Sequence, residues 1–416
     1  MKAIVLGSGV IGTAAAWYLA KDGHEVTVVE RHEAPGLETS YANAGLVAPG
    51  HSYAWASPAA PRILAKSLVT ADQALKLRPR LDPRMWSWLW RFLLQCTDER
   101  ARANTARKLR LCRYSADLLT ELTAETGVRY DGLARGNLYV YRSDRSFEAG
   151  VRRTQLLRDE GLALEVLDRE GLCAREPALE PVKETLAGGM YSPTDQSGDA
   201  RMFSRDLARV AADAHGVRFR FGVTVEGLEA DGGRISGVRT SEGTLRADVY
   251  VLALGFMSPF VSETVGLKLP IYPVKGYSVT IPRESSNLSP QMGVCDEDRL
   301  VVTCPMGDRL RIASTAEFGG YDKDHRPSDF RAMFAAARNL FPAAGNYDQP
   351  EYWAGLRPMT PTTVPILGRA RHENLYLDTG HGHIGWTMAC GSGKVTADLI
   401  AGRDPEIDLE GLVHKD

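Results

Sequence analysis

The sequence predicts an α/β chain of two units, one built on a parallel sheet and the other, α+β in character, on a largely antiparallel sheet. Three observations carry the expectation. A strand–helix–strand pattern with a glycine-rich turn opens the chain. A second strand, glycine turn and helix close it. Strand-rich segments punctuated by hairpin turns lie between. A fold that uses both chain ends in one parallel unit and encloses antiparallel strands is discontinuous. The spans read as residues 1–51, 197–265 and 361–416 for the parallel unit, and 52–196 and 266–360 for the other. At 416 residues the chain can bury two substantial cores.

Lys2-Ala3-Ile4-Val5-Leu6 reads as a buried strand, Thr13 to Lys21 as a helix, and Glu25 to Glu30 as a second strand ending in an acid. Between strand and helix stands Gly7-Ser8-Gly9-Val10-Ile11-Gly12. This is the dinucleotide fingerprint in its proper context, and it makes the parallel unit Rossmann-like. Gly7 permits the tight turn, Gly9 lets the backbone approach a pyrophosphate, and Gly12 lets helix and strand pack closely. The helix N-terminus offers free N–H groups to the phosphates. Glu30, with Arg31 beside it, stands where a carboxylate accepts from a ribose diol.

Residues 52–83 are rich in Ala and Pro and show few periodic signals, which predicts a surface wrap near the cofactor. Asp82 to Gly127 reads as mostly helical, Gly136 to Arg142 as a strand, Ala149 to Glu160 as a helix and Gly189 to Ser192 as a short strand. Asp199 to His215 is amphipathic, with Phe203, Leu207, Val210 and Ala211 at helical spacing. Val217 to Phe221 follows as a strand. From Val223 to Ala253 strands dominate, and Gly232-Gly233 and Glu242-Gly243 mark hairpins. Val225, together with Ala253 and Gly255 at the end of a buried strand, is expected to line the cofactor. Residues 271–317 are strand-rich with a turn at Met306-Gly307-Asp308. A helix at Ser328 to Leu340 and a strand at Tyr352 to Arg357 come next.

The closing block runs from Leu375 through Asp378-Thr379-Gly380-His381-Gly382-His383-Ile384-Gly385 into a helix. NAD enzymes rarely need a second such element. FAD is longer and needs one to hold its isoalloxazine ring. A helix starting near Ile384 would aim its positive end at the flavin edge that becomes negative on reduction.

Further segments carry a resemblance. Thr39-Ser40-Tyr41-Ala42-Asn43-Ala44-Gly45 resembles the flavin-contacting segment of the D-amino-acid oxidase/glycine oxidase superfamily. Pro273-Val274-Lys275-Gly276-Tyr277, Trp353 to Pro361 and Thr379 to Gly393 resemble the bacterial D-amino acid dehydrogenase small (catalytic) subunits. The likeness spans essentially the whole chain. It implies an FAD enzyme that oxidises D-amino acids to 2-oxo acids and ammonia, with Thr39, Ser40, Asn43, Ala44 and Gly45 at the flavin. It also implies delivery of electrons to a quinone. Two departures bear on substrate preference: Thr362-Thr363 stands where relatives often carry Asp-Gly, and His383 occupies a variable position. An oxidase or dehydrogenase of N-substituted amino acids is the alternative on the same scaffold. A flavin-binding electron-transfer or regulatory subunit is the alternative from another class.

A flavin enzyme of this kind must hold a carboxylate and orient Cα, and it needs neither nucleophile nor metal. Arginine grips two carboxylate oxygens at once. Arg357 ends an apolar strand and precedes Pro358, and in similar oxidases the arginine of the matching Gly-Leu-Arg-Pro motif binds the substrate carboxylate. Tyr277 reads either as core or as a substrate contact, and Tyr53 as a pocket wall or lid. His381 is expected to position backbone and flavin, and His383 either does the same or faces the substrate. Attachment cysteines of some relatives are replaced here by Met359 and Thr360, so FAD is expected to be noncovalent. Met85 to Leu94 holds Trp86, Trp88 and Trp90. That segment reads as a core helix or as a membrane-surface patch flanked by Arg84 and Arg91.

Composition narrows the remaining classes. Fifty basic and 52 acidic residues give a net charge of -2, which argues against a nucleic-acid binder. No signal peptide and no bilayer-length apolar run are visible. The six cysteines are scattered and read as reduced packing thiols, with a Cys295–Cys304 bridge the one alternative considered. The expected location is the cytoplasm, or the inner face of the cell membrane as a peripheral protein.

Overall fold

The computed structural model describes residues 1–67, 75–284 and 288–414. The apolar run Ala3 to Leu6 suits the strand Lys2–Leu6 to the middle of a sheet, where both faces are covered. It lies there, parallel to Glu25–Val29 on one side and to Val249–Leu252 on the other. Among the described residues this sheet has six strands, in the order Ile366–Arg369, Leu375–Thr379, Val249–Leu252, Lys2–Leu6, Glu25–Val29, Arg218–Arg220. Neighbours run parallel except Ile366–Arg369, which turns back on Leu375–Thr379. An antiparallel hairpin sheet, Val225–Asp231, Arg234–Thr240 and Gly243–Leu245, stands beside it, turning at the two glycine sites expected.

The helices Val10–Lys21 and Gly385–Ile400 pack on each other, so the two ends of the chain share a core. Glycine permits that approach: a Cβ at Gly393 would lie 2.8 Å from the backbone of Ala14 and Ala15. Gly391 plays the same part against the long helix Asp98–Thr126, where a Cβ would lie 2.9 Å from Ser115 Cβ. Leu119 and Leu122 of that helix join Trp17, Phe203 and Ala389 in one apolar cluster.

A nine-stranded sheet forms the rest of the scaffold. Its main order is Glu351–Met359, Tyr272–Pro282, Arg309–Phe318, Val301–Met306, Gly293–Asp296, Asn137–Tyr141, Gly188–Ser192, Glu165–Leu167, with Leu75–Leu77 beside Arg309–Phe318. Pairs are antiparallel except two, Gly293–Asp296 with Asn137–Tyr141 and Leu75–Leu77 with Arg309–Phe318.

Most expected elements are present, with instructive differences at their ends. The helix expected from Ala149 begins at Asp144, because Ser143 caps it by accepting from Ser146 N–H. The helix expected at Ser328 divides into a 3-10 turn, Pro327–Phe330, and Arg331–Leu340. Within the stretch read as irregular, Ala60–Ser67 is a helix and Leu75–Leu77 a strand, while 68–74 lie outside the described residues. The tryptophan segment forms the helix Pro83–Gln95 with one tryptophan buried and two exposed. Trp88 is core, donating from Nε1 to Met359 O at 2.8 Å, whereas Trp86 and Trp90 are 49% and 64% exposed. All six cysteines are unpaired.

Candidate active site

The turn after Lys2–Leu6 is shaped by what cannot fit there. Gly7 holds φ +99°, and a Cβ would lie 2.8 Å from Ala253 O. A Cβ at Gly12 would lie 2.0 Å from Gly7 O. Gly9 differs, since its Cβ would meet only Ser40 Oγ at 3.6 Å, and the missing side chain leaves room on the cavity side. The helix begins at Gly9 without a side-chain cap and carries no acid in its first turn, so it keeps donors for an anion. Ser40 Oγ accepts from Val10 N–H at 3.1 Å. Glu30 Oε2 accepts from Ser8 N–H at 2.9 Å and from Ser8 Oγ at 3.0 Å, which fixes the carboxylate. Arg31 pairs with Glu38.

A cavity of about 530 Å³ runs from this turn to the large sheet. Every residue predicted to touch cofactor or substrate lines it except Ser8, Gly12 and Gly380. Each exception has a reason. Ser8 is turned to Glu30, and Gly12 sits between helix and strand. Gly380 holds φ +77° with Thr360 Cγ2 2.8 Å from where its Cβ would be. Beyond it, Gly382–Ile384 forms a 3-10 turn leading into Gly385–Ile400, again with no side-chain cap and no acid in the first turn. His381 Nε2 lies 3.3 Å from Asp378 Oδ1, an ion-pair distance without hydrogen-bond alignment. The cavity thus meets two helix starts without acids, one partly capped by Ser40, and a cradle that side chains would fill, which suits a long dinucleotide with two anionic regions.

Arg357 marks the other end. Its strand Glu351–Met359 pairs with Tyr272–Pro282, and its guanidinium passes over Gly276, where a Cβ would lie 2.4 Å from Cζ. Nη1 donates to Thr315 O at 2.8 Å and, more weakly, to Lys275 O at 3.4 Å. Thr315 holds φ +65°, uncommon for a β-branched residue, at the strand that supplies this acceptor. Among the described residues no carboxylate pairs with Arg357, and burial lowers its guanidinium to about 10. A cation enclosed on backbone carbonyls alone is a receptor for an anion.

Residues 2–399 match the family described as FAD dependent oxidoreductase, DAO. The chain belongs to this family. It is 53% identical over 414 residues to D-amino acid dehydrogenase 2 of Mesorhizobium japonicum, covering 100% of both chains. It is 49% identical to D-amino acid dehydrogenase of Paramagnetospirillum magneticum, covering 99% of this chain and 98% of that one. Among solved structures, glycine oxidase from Geobacillus kaustophilus matches with TM-score 0.77 at 24% identity, covering 99% of this chain and 98% of that one.

In this FAD enzyme the remaining sequence candidates fall into two groups around the Arg357 end of the cavity. Tyr53 and His383 present unused polar atoms: neither the Tyr53 hydroxyl nor either His383 ring nitrogen has a hydrogen-bond partner. The His383 ring stacks on Trp55 at 4.5 Å between centroids. Burial, reinforced by Lys108, His51 and Arg357, holds it well below the usual histidine range, so it is neutral. Tyr277 falls in the other group. Its ring packs edge-on to Phe330 and its hydroxyl donates to Glu317 Oε2 at 3.0 Å, so that hydroxyl is already satisfied in the core.

Sequence reasoning missed an ionic cluster on the cavity wall, enclosed at Glu297 and open to solvent at Arg153. Glu297 accepts from Arg153 Nη2 at 2.8 Å, and its other oxygen meets His51 Nε2 at 2.9 Å. Burial pushes the Glu297 carboxyl up, but His51 and Arg153 outweigh it and hold the group well below its usual range. Cys295 Sγ lies 3.5 Å from Glu297, and His51, Cys295 and Glu297 bring three ligand-type atoms together. Arg153 already supplies the cation there. His51, Arg153 and Glu297 come from three distant segments, and no spacing in the sequence announces them.

Proposed function

We propose that this flavoenzyme oxidises D-amino acids to 2-oxo acids and ammonia, and that Arg357 binds the substrate carboxylate. The observation that carries the reading is Arg357 itself, a guanidinium at the cavity wall with no acid beside it. The names of the full-length relatives support the substrate class. When bound, FAD supplies the hydride acceptor, and the cradle at Gly7 to Gly12, the Thr39 to Gly45 segment and the turn at His381 to Gly385 would hold it noncovalently. Arg357 grips the carboxylate and fixes the direction of Cα. Neutral His383 and the Tyr53 hydroxyl face the remaining polar atoms of the substrate. The cavity wall keeps bulk water from the reacting carbon. Loss of a hydride from Cα and a proton from nitrogen yields the imino acid, which water converts to the 2-oxo acid and ammonia. Anaerobic bleaching of the flavin against a panel of D- and L-amino acids, glycine and sarcosine tests this. Bleaching by D-amino acids alone is expected, and bleaching only by N-substituted amines or by none overturns it.

The division into a cofactor unit (1–51, 197–265, 361–416) and a substrate unit (52–196, 266–360) belongs to the same reading. Membership of the two large sheets supports it. The helix Asp98–Thr126 departs from it by packing on Gly385–Ile400.

For the electron acceptor we propose a membrane quinone. No helix among the described residues is long and apolar enough to cross a membrane. The helix Pro83–Gln95 and its surroundings expose Ile63, Leu81, Trp86, Trp90, Leu93 and Leu94, and Ile63, Leu64 and Phe92 also line the cavity. Arg84 and Arg91 stand on the same helix, a combination suited to an anionic bilayer surface. Cosedimentation with anionic vesicles should fall in a Trp86→Ser/Trp90→Ser variant. Trp88 is left intact because it is core. Unchanged cosedimentation, or turnover in air as fast as with a quinone analogue, would sink this part.

A further inference from the structure

Among the buried polar side chains of the long helix Asp98–Thr126, two reach the loop at the cavity and are not used by the chemistry above. Thr105 and Lys108, one turn apart, are 2% and 0% exposed. Lys108 Nζ donates to Tyr53 O at 2.9 Å. The N–H of Ala54 donates to Thr105 Oγ1 at 3.0 Å. The Tyr53 carbonyl and the Ala54 N–H are the two poles of one peptide plane, so the helix grips that plane at both ends. The residues flanking it, Tyr53 and Trp55, both line the cavity, and Trp55 carries the stack on His383.

Lys108 is an expensive way to fill that space. Among the described residues no carboxylate pairs with it, and burial lowers its amine to about 7, with only Cys112 on the same helix opposing. Its charge, with those of His51 and Arg357, disfavours a proton on buried His383. A methionine would occupy the same volume without a buried amine.

We propose that Lys108 and Thr105 are positioning residues for substrate binding. By clamping the Tyr53–Ala54 peptide they hold the Tyr53 hydroxyl and the Trp55–His383 stack in the wall that receives the amino acid. The inference rests on the reading of this cavity as an amino-acid site. Because the clamp touches only the loop, its loss weakens substrate binding more than it slows hydride loss, and it leaves the flavin in place.

The test uses Lys108→Met and Thr105→Val as purified holoenzymes, in anaerobic stopped-flow reduction by a D-amino acid that bleaches the parent enzyme. Both variants are expected to keep full flavin and the parent visible spectrum. The half-saturating substrate concentration should rise about 10-fold in Lys108→Met, where the hold on the Tyr53 carbonyl is lost, and about 3-fold in Thr105→Val. Limiting reduction rates should change less than these values. Lys108→Met should also melt no lower than the parent at pH 7, which a merely structural lysine would not allow. Parent-like half-saturation in both flavin-loaded variants overturns the clamp. If Lys108→Met does not fold, Thr105→Val decides alone. A parent enzyme that no D-amino acid bleaches overturns the substrate reading instead, so the two failures are distinguishable.

Discussion

The two ends of the cavity are built in opposite ways. At the end proposed for the phosphates, the turn from Gly7 to Gly12 is built from backbone, and each glycine is there because a Cβ would strike something or close a space. Such a site is local: six consecutive residues, a strand before and a helix after. At the end proposed for the substrate the surfaces are side chains from remote segments. Arg357 comes from one strand, Gly276 makes room for it on a second, and Thr315 accepts from it on a third. Tyr53, His51, Arg153 and Glu297 arrive from elsewhere again. Motifs report backbone sites well because the geometry and the sequence share one order. Side-chain sites depend on register between strands far apart in the chain, and that order is lost.

This contrast accounts for what was legible. The parallel sheet, the hairpins and the two helix starts follow from periodicity and turn residues within a few positions. Arg357 was legible because its Gly-Leu-Arg-Pro context resembles that of similar oxidases, not because of its spacing. Tyr277 read as core or as a substrate contact and Tyr53 as a pocket wall or lid, and the sequence left both open as substrate contacts. Only the fold shows that one hydroxyl donates to Glu317 while the other makes no aligned hydrogen bond and has Arg153 over its ring. Lys108 carries no signal at all. On an amphipathic helix rich in arginine it reads as one more surface cation, and it is fully enclosed.

The largest effect expected comes from attacking the backbone site. Gly12→Val places a Cβ 2.0 Å from Gly7 O, a clash with main chain that no rotamer relieves, costing at least the ~1–3 kcal/mol typical of overpacking. Little soluble yellow protein should be recovered. Gly9→Val should instead fold and lose flavin, since its Cβ points into open space at the cavity. The flavin-to-protein ratio after denaturation separates the two. Full flavin in either variant would break the backbone account of this end.

Arg357→Ala attacks the side-chain site. It should keep flavin and fold while substrate binding weakens by roughly 10- to 150-fold, from the ~1.5–3 kcal/mol of a charge-assisted pair. Reduction should slow further as Cα loses its alignment. Arg357→Lys should recover only part, because an ammonium cannot grip two oxygens in one plane. Near-normal affinity and rate in flavin-loaded Arg357→Ala would make the residue structural and move the search to Tyr53 and His383.

Lys108 links the same contrast to pH. Its amine titrates near 7 in the fold and near its ordinary 10.5 when unfolded. Between those values the unfolded chain holds a proton that the folded chain lacks, so stability rises with pH across the window, by at most about 1.4 kcal/mol per unit. Below pH 7 both states are protonated and the slope vanishes. Buried thiols such as Cys112 and Cys304, raised by burial to about 12, act in the opposite direction above their ordinary 9.0. Urea unfolding between pH 7 and 8.5 therefore isolates the lysine. The parent should gain stability over that range and Lys108→Met should not. Equal slopes would mean that the amine stays charged inside the protein.

The smallest effect expected separates the two tyrosines. Tyr277→Phe removes one bond from the buried Glu317 carboxylate, which keeps Arg78 Nε at 3.2 Å. The carboxylate is therefore not stranded, and the loss is that of one hydrogen bond to a charged group, about 1.5 kcal/mol or less given the remaining partner. It should appear as a small downward shift of the thermal midpoint with half-saturating substrate unchanged. Tyr53→Phe should do the reverse. Its hydroxyl has no aligned hydrogen bond to lose in the free enzyme, and the Arg153 guanidinium over its ring stays against Phe, so stability should change little, while substrate affinity falls by a few-fold if that hydroxyl meets the amino acid. Should Tyr277→Phe weaken binding while Tyr53→Phe leaves it untouched, the assignment of one tyrosine to the core and the other to the site is reversed. The wall that receives the substrate would then be the strand Tyr272–Pro282 and not the clamped loop.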